Sequence, residues 1–144
     1  MDADLAAATG EVAGSGLVLR YRAWGPEAPG VPLVLLHGIT GSSRDWEGFV
    51  RFLPARPVFA LDARGHGESD WDAEEAYGGD QHFADVAVAL DRLAIRRCVL
   101  AGFSMGGGVA IIAAAALPSR VAGLVVIDSY PHPKMTAGSR RIAN

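Results

Sequence analysis

With 144 residues, the sequence is long enough for one domain with a hydrophobic core. Half of the residues are hydrophobic and 20% are charged, a balance typical of a globular protein and unlike that of a disordered chain. The formal net charge is −3 and the basic residues are dispersed, so no basic patch favours a nucleic acid as partner.

The predicted elements alternate between strands and helices. A hairpin is expected first, over residues 11–24, with a turn at Gly14-Ser15-Gly16. Four short apolar runs then predict strands, at residues 33–36, 58–61, 99–101 and 124–127. Helical spacing of apolar residues predicts helices at residues 43–53 and 80–94, and an apolar segment closed by Pro118 predicts a third at residues 107–117.

This alternation implies a parallel sheet with right-handed crossovers. Parallel sheets bind ligands beyond the carboxyl ends of their strands. Four polar residues fall at those ends, namely His37, Asp62, Ser104 and Asp128. In the helix of residues 80–94, Asp85 is expected on the polar side and His82 in solvent.

The stretch from Cys98 to Leu117 contains no formal charge, and a hydropathy window would mark it as membrane-spanning. Three consecutive glycines, Gly106 to Gly108, interrupt it, so a buried strand followed by a core helix is the better interpretation. We expect no contact with a membrane. The acidic N-terminus lacks the pattern of a secretory signal, and Cys98 has no second cysteine, so a cytoplasmic location is expected.

Residues 102–106 read Gly-Phe-Ser-Met-Gly, a G-x-S-x-G pentapeptide between a predicted strand and a predicted helix. Glycines on either side of Ser104 leave room for a sharp, strained turn that would project its hydroxyl beyond the sheet. The first N–H groups of the next helix would favour negative charge at the same point. The pattern predicts a nucleophilic serine; the alternative is an incidental serine in a glycine-rich loop.

Two further segments accompany the pentapeptide. His37-Gly38-Ile39-Thr40-Gly41-Ser42 follows one strand, and Asp62-Ala63-Arg64-Gly65-His66-Gly67-Glu68-Ser69 follows the next. Together they look like the His-Gly oxyanion loop, the Asp-x-x-Gly-His-Gly-x-Ser turn and the nucleophile elbow of the α/β-hydrolase family, in that family's order. From Leu17 to Asp128, the sequence resembles this family.

The resemblance implies a single domain over residues 1–144 with the α/β-hydrolase fold: a mostly parallel sheet with helices on both faces. After Asp128 only sixteen residues remain, without a strand pattern. The family continues through a lid, two more strands, the usual acid and the catalytic histidine. The chain is therefore expected to lack its lid and last strands. Either it is truncated or a second chain supplies the rest, and an unpaired last strand predicts self-association or a completing partner.

The resemblance also implies a site. Ser104 would be the nucleophile, and the backbone N–H groups of Ile39 and Met105 would form the oxyanion hole, with no metal or cofactor. His37 would shape the oxyanion loop and would not act as the base. His66 is expected to be structural as part of its tight turn.

Two more residues, Asp128 and His132, lie near the end of the sequence and bear on the remaining catalytic roles. Asp128 is a candidate for the acid, although an aspartate that hydrogen-bonds the exit from a strand is the commoner role. His132 lies in a loop after the last strand and matches no motif of the family. The catalytic base is thus expected from outside the chain, and without it Ser104 would have the reactivity of an ordinary alcohol.

The implied function is hydrolysis of a small-molecule ester or a related carbonyl compound, with this chain alone inactive. One alternative is a carbon–carbon bond hydrolase or lyase on the same fold. Another is a non-catalytic remnant of a hydrolase that binds a ligand or a partner. The serine argues against dehalogenases and epoxide hydrolases, which need a carboxylate at that position.

Overall fold

A computed structural model describes residues 6–130 of the chain. The strands are β1 (Ala8–Ala13), β2 (Val18–Trp24), β3 (Leu33–Leu36), β4 (Val58–Leu61), β5 (Cys98–Phe103) and β6 (Val121–Ile127). The helices are a short 3₁₀ helix (Ser43–Trp46), α1 (Glu47–Val50), α2 (Gly79–Arg92) and α3 (Met105–Ala116).

The strands form one six-stranded sheet in the order β1-β2-β4-β3-β5-β6. β1 pairs with β2 and β2 with β4 in antiparallel fashion. The other neighbours, β3 with β4, β3 with β5 and β5 with β6, are parallel. The predicted mostly parallel sheet is confirmed, and its four parallel strands bring their carboxyl ends to one edge.

Helices cover both faces of this sheet, as expected. Successive side chains of a strand point to opposite faces. Val34 and Leu36 therefore pack in one core cluster with residues of α2 and α3. Leu33 and Leu35 pack in a second cluster with Trp46 of the 3₁₀ helix. All four strand residues are at most 6% exposed, because β3 lies in the middle of the sheet.

The helix predicted over residues 43–53 was too long. The segment forms the 3₁₀ helix and then only four residues of α1, which ends at Val50. Its apolar spacing suggested one continuous buried stripe, but Phe49 is 44% exposed and Phe52 is 83% exposed. Trp46 and Val50 are buried in the core and Leu53 packs partly buried against it, while Phe49 and Phe52 face solvent, so the sheet does not support one continuous helix.

The uncharged run of residues 98–117 divides into β5 and α3, as predicted. No helix among the described residues has the length and apolar character needed to cross a bilayer. Within the same residues, β6 is an outer strand of the sheet. Four consecutive apolar side chains of β6, from Leu124 to Ile127, are 37–47% exposed.

Candidate active site

Ser104 lies between β5 and α3 with φ 50° and ψ −113°. This left-handed conformation is costly for a residue with a Cβ, and such strain persists only where surrounding contacts enforce it. One such contact is direct: the Ser104 N–H donates to the carbonyl oxygen of Ile127 at 2.9 Å. The predicted strained strand-to-helix turn at Ser104 is confirmed.

The two motif glycines are required by close backbone approach. A Cβ on Gly102 would overlap the backbone of Gly106 and Gly107. A Cβ on Gly106 would overlap the carbonyl groups of Leu36 and His37. The start of α3 is therefore packed directly on the end of β3, which only glycine permits.

This packing brings the loop after β3 to the nucleophile elbow. The Gly106 N–H donates to the His37 carbonyl oxygen at 3.1 Å. A Cβ on Gly38 would lie 2.8 Å from the Phe103 ring and 3.5 Å from Ser104 Cβ. Residues 37–41, which we call the oxyanion loop, thus lie beside Ser104, and Met105 follows Ser104 as the first residue of α3.

His37 is 2% exposed and both of its ring nitrogens are engaged. Nδ1 lies 2.7 Å from the Gly38 carbonyl oxygen, to which it donates, and Nε2 accepts from the Ala63 N–H at 3.0 Å. This pattern requires the neutral ring. Burial lowers the pKa of His37, which outweighs the opposite effect of the bond to Gly38 and keeps the ring neutral. No ring nitrogen of His37 remains to accept a proton from Ser104.

The turn after β4 is held by Asp62, whose carboxylate accepts from the Ser43 N–H at 2.6 Å and the Glu68 N–H at 3.0 Å. The His66 ring extends from this turn to the oxyanion loop. Its Nε2 lies 2.7 Å from the carbonyl oxygen of Ile39, and its Nδ1 lies 2.9 Å from that of Arg64. His66 therefore has a structural position, as expected, and one that reaches the candidate site.

The prediction that His82 is solvated was wrong. His82 is 5% exposed, and its ring lies 6.5 Å from that of His66, which in turn lies 5.1 Å from that of His37. Burial lowers the pKa of His82 to about 4, and the charge of Arg64 acts in the same direction. Three histidines thus form a row beneath the oxyanion loop. Among residues 6–130, no histidine nitrogen is hydrogen-bonded to Ser104.

The placement of Asp85 on the polar side of α2 was also wrong. Asp85 is 3% exposed and binds Arg64, itself 2% exposed, through two bonds of 2.7 and 2.8 Å. Asp85 also accepts from the Ser15 N–H at 2.7 Å. Arg64 further donates to the carbonyl oxygens of Ala76 and Ser15. Helical spacing alone could not reveal this pair, because the partner lies on a different element; the one available signal was the arginine within the turn motif.

Asp128, the candidate acid, ends β6 in a left-handed conformation with φ 49° and is exposed. The structure places it at the same sheet edge as Ser104 without a bond to a histidine among the described residues. His132 lies outside those residues. Within them, no group of three or more His, Cys, Asp or Glu side chains is arranged to hold a metal ion.

An open groove of about 300 Å³ adjoins the elbow, with a mostly apolar lining formed by His37, Gly38, Asp45, Trp46, Phe103 and Ile127. It adjoins Ser104 through Phe103 and Gly38, which lie beside that residue. A groove of this size and lining suits a small, largely apolar ligand.

Comparison with known proteins agrees with this geometry. The family model described as the alpha/beta hydrolase fold matches residues 31–143. The chain belongs to the α/β-hydrolase family.

Three similar proteins illustrate its range. The chain is 41% identical over 116 residues to a Xenopus tropicalis protein named sn-1-specific diacylglycerol lipase ABHD11, covering 78% of the chain and 36% of that protein. It is 36% identical to a putative 2-succinyl-6-hydroxy-2,4-cyclohexadiene-1-carboxylate synthase of Bacillus subtilis, covering 76% of the chain and 40% of that protein. The crystal structure of a membrane phospholipase A, a bacterial virulence factor, superposes with a TM-score of 0.81 at 31% identity, covering 86% of the chain and 40% of that structure.

The chain spans well under half the length of each of these three proteins. Their hydrolytic and synthetic activities belong to polypeptides that include further sequence. The similarity covers 76–86% of this chain and 36–40% of each of those proteins.

Proposed function

We propose that this chain carries the nucleophile and the oxyanion hole of a serine hydrolase that acts on a small-molecule ester or a related carbonyl compound. The observation that carries the proposal is the strained φ of 50° at Ser104, at the start of a helix and beside a glycine loop. Strain of this kind is retained where function requires it. The apolar groove next to Phe103 supports a largely apolar substrate.

In the proposed reaction, the Ser104 hydroxyl oxygen attacks the carbonyl carbon of the ester. The hydroxyl proton passes to a histidine from outside residues 6–130, and the carbonyl oxygen becomes an oxyanion. The N–H groups of Ile39 and Met105 would donate to that oxyanion. Loss of the alcohol leaves an acyl group on Ser104, and water then releases the acid.

A carbon–carbon bond hydrolase or lyase remains the second candidate, and the similarity to the Bacillus subtilis synthase favours it. Such an enzyme uses the same serine and loop on a different substrate. The two candidates differ in whether Ser104 becomes acylated during turnover of a simple ester. A non-catalytic remnant is the third, and it predicts no reactivity at Ser104 under any condition.

The test is labelling by a fluorophosphonate, read by mass spectrometry of the peptide that contains Ser104. Because the described residues offer Ser104 no base, we expect the chain alone to hydrolyse an activated ester no faster than Ser104→Ala. Added imidazole can replace a missing base, so it should restore labelling of Ser104. Removing a triad member costs several orders of magnitude in rate, which leaves a wide range for rescue.

The matched control is Ser129→Ala, which removes a neighbouring serine that packs against Gly107 and should leave labelling intact. Absence of label with imidazole, and in the chain extended by the sequence encoded downstream, would support the remnant. Strong Ser104-dependent turnover by the chain alone would instead reveal an internal base, and His132→Ala would then be the first variant to examine.

A further inference from the structure

The peptide groups on both sides of Ile39 are held by histidine rings. The first joins Gly38 to Ile39, and its carbonyl oxygen accepts from His37 Nδ1 at 2.7 Å and from the Gly41 N–H at 2.9 Å. The second joins Ile39 to Thr40, and its carbonyl oxygen lies 2.7 Å from His66 Nε2. Both dihedral angles of Ile39 are therefore constrained by two histidine rings and one turn hydrogen bond rather than by regular secondary structure.

The first of these peptide groups includes the Ile39 N–H. In a trans peptide the C=O and N–H bonds point in opposite directions. Two donors hold the Gly38 oxygen, so the Ile39 N–H is turned away from them. The same bonds polarise the peptide group and strengthen its N–H as a donor. If the peptide group between Ile39 and Thr40 could rotate, the Ile39 N–H would lose this orientation. The contact of His66 Nε2 with the Ile39 carbonyl oxygen opposes that rotation.

The His66 ring has two carbonyl oxygens as partners, those of Ile39 and Arg64, at 2.7 and 2.9 Å. A neutral imidazole has one N–H and can donate to one of them only. The doubly protonated ring donates to both, and such bonds from a charged donor are stronger than neutral ones. His37 has the opposite requirement, because its Nε2 must accept from the Ala63 N–H.

We propose that His66 is a positioning residue for the oxyanion hole, and that its doubly protonated ring clamps the Ile39 carbonyl group to the turn after β4. The meaning of this clamp for catalysis rests on the proposed function. The clamp itself is a relation between two loops, and it is measurable whether or not Ser104 reacts.

The titratable and charged groups around the His66 ring come from three segments. They are His37 from the oxyanion loop, Asp62, Arg64 and Glu68 from the turn, and His82 and Asp85 from α2. Arg64 and Asp85 neutralise one another as a buried pair, and Glu68 is paired with Arg44. Burial is the main cause that lowers the pKa values of both His37 and His82, and the neighbouring His66 adds a smaller effect in the same direction. His66 is the member of the row whose two ring nitrogens both lie within hydrogen-bond distance of carbonyl oxygens.

The test uses amide hydrogen exchange of the 144-residue chain, followed by NMR. Two amides report on the clamp: Gly41, which donates to Gly38 within the loop, and Ala63, which joins the turn to His37. Their protection, corrected for the intrinsic rate, should fall by about tenfold or more as pH rises through the titration of the His66 ring. The titration itself is followed by the ring nitrogen shifts.

Two variants separate positioning from simple packing. His66→Phe keeps a ring without donors and should lower protection at both amides at every pH, with the pH dependence abolished. His66→Gln restores one donor toward Ile39 and should recover part of the protection. Amides of β5 serve as the internal reference for folding. Protection that stays constant across the wild-type His66 titration, or that is equal in the two variants, would overturn the clamp.

The outcomes separate this inference from the proposed function. Exchange that follows the protonation of His66, with no label on Ser104 even when imidazole is added, would support the clamp and refute the hydrolase. Labelling of Ser104, together with amide exchange that does not change with the protonation of His66, would support the hydrolase and refute the clamp.

Discussion

The Gly106 N–H and the His37 carbonyl oxygen are 3.1 Å apart, and this bond joins the first turn of α3 to the end of β3. Two segments separated by almost seventy residues therefore share one backbone contact at the candidate site. The turn at Ser104 and residues 37–41 cannot move independently while this contact is intact.

Gly106→Ala should destabilise the protein, because its Cβ would overlap the carbonyl groups of Leu36 and His37. Overpacking of this kind costs about 1–3 kcal/mol. The measurement is the free energy of unfolding in urea. Gly48→Ala is the control: no atom lies within 4 Å of the added carbon, and alanine is the better helix former, so stability should stay equal or rise. An equal decrease in the free energy of unfolding of both variants would contradict the close approach of Gly106 to the carbonyl groups of Leu36 and His37.

Asp85→Ala should be the most destabilising of the charge deletions, because it leaves Arg64 buried without its main partner. Breaking a buried pair costs about 3–5 kcal/mol. Asp91→Ala removes the partner of Arg120 at the surface, where Asp91 is 67% exposed, and should cost less than about 1 kcal/mol. Thermal unfolding of the two variants in parallel gives the two decreases in stability. A decrease in Asp85→Ala no larger than in Asp91→Ala would be inconsistent with a buried pair between Arg64 and Asp85.

Acid should destabilise the protein partly through His82. Its pKa in the folded state is lowered to about 4 from the ordinary value of 6.5, so between these values the unfolded chain binds the proton and the folded chain does not. The stability contributed by keeping the ring neutral is present above pH 6.5 and is lost as pH falls toward 4.

The size of this effect is up to about 3 kcal/mol. His82→Gln, which cannot take up the proton, should show a flatter decline in the free energy of unfolding between pH 6.5 and 4. His37, whose pKa is also lowered by burial, contributes in the same direction in both proteins and leaves a residual slope. Parallel pH profiles for wild type and His82→Gln would mean that the ring is not buried as described.

The exposed side of β6 should drive self-association of the chain. Strands with unpaired backbone groups and apolar side chains pair with other chains, and β6 has neither charge nor proline to prevent this. We expect sedimentation to show species larger than a monomer, and Val125→Lys to reduce them. Phe52→Lys adds the same charge at another exposed apolar residue and should have a smaller effect. A stable monomer with protected β6 amides would contradict this expectation.

The strands and the elbow could be predicted from the sequence because their causes are local. Apolar runs such as residues 33–36 can be buried only inside a sheet, and the glycines around Ser104 permit a turn that other residues resist. The order of these segments was enough to identify the family. The predicted helix over residues 43–53 was too long for a local reason as well. The apolar spacing continues beyond Val50, where the helix ends.

The partners of His66, His82 and Asp85 were decided by tertiary structure alone. Each depends on a partner from another element: the Ile39 carbonyl for His66, the enclosing core for His82 and the Arg64 guanidinium for Asp85. Helical periodicity indicates which side of a helix is apolar. It contains no information on the Arg64 guanidinium of a separate turn, which makes burial of the Asp85 carboxylate favourable. The sequence by itself determined the strands and the strained turn at Ser104. Only the folded chain, by bringing distant polar groups within hydrogen-bond distance, decided how the oxyanion loop is held.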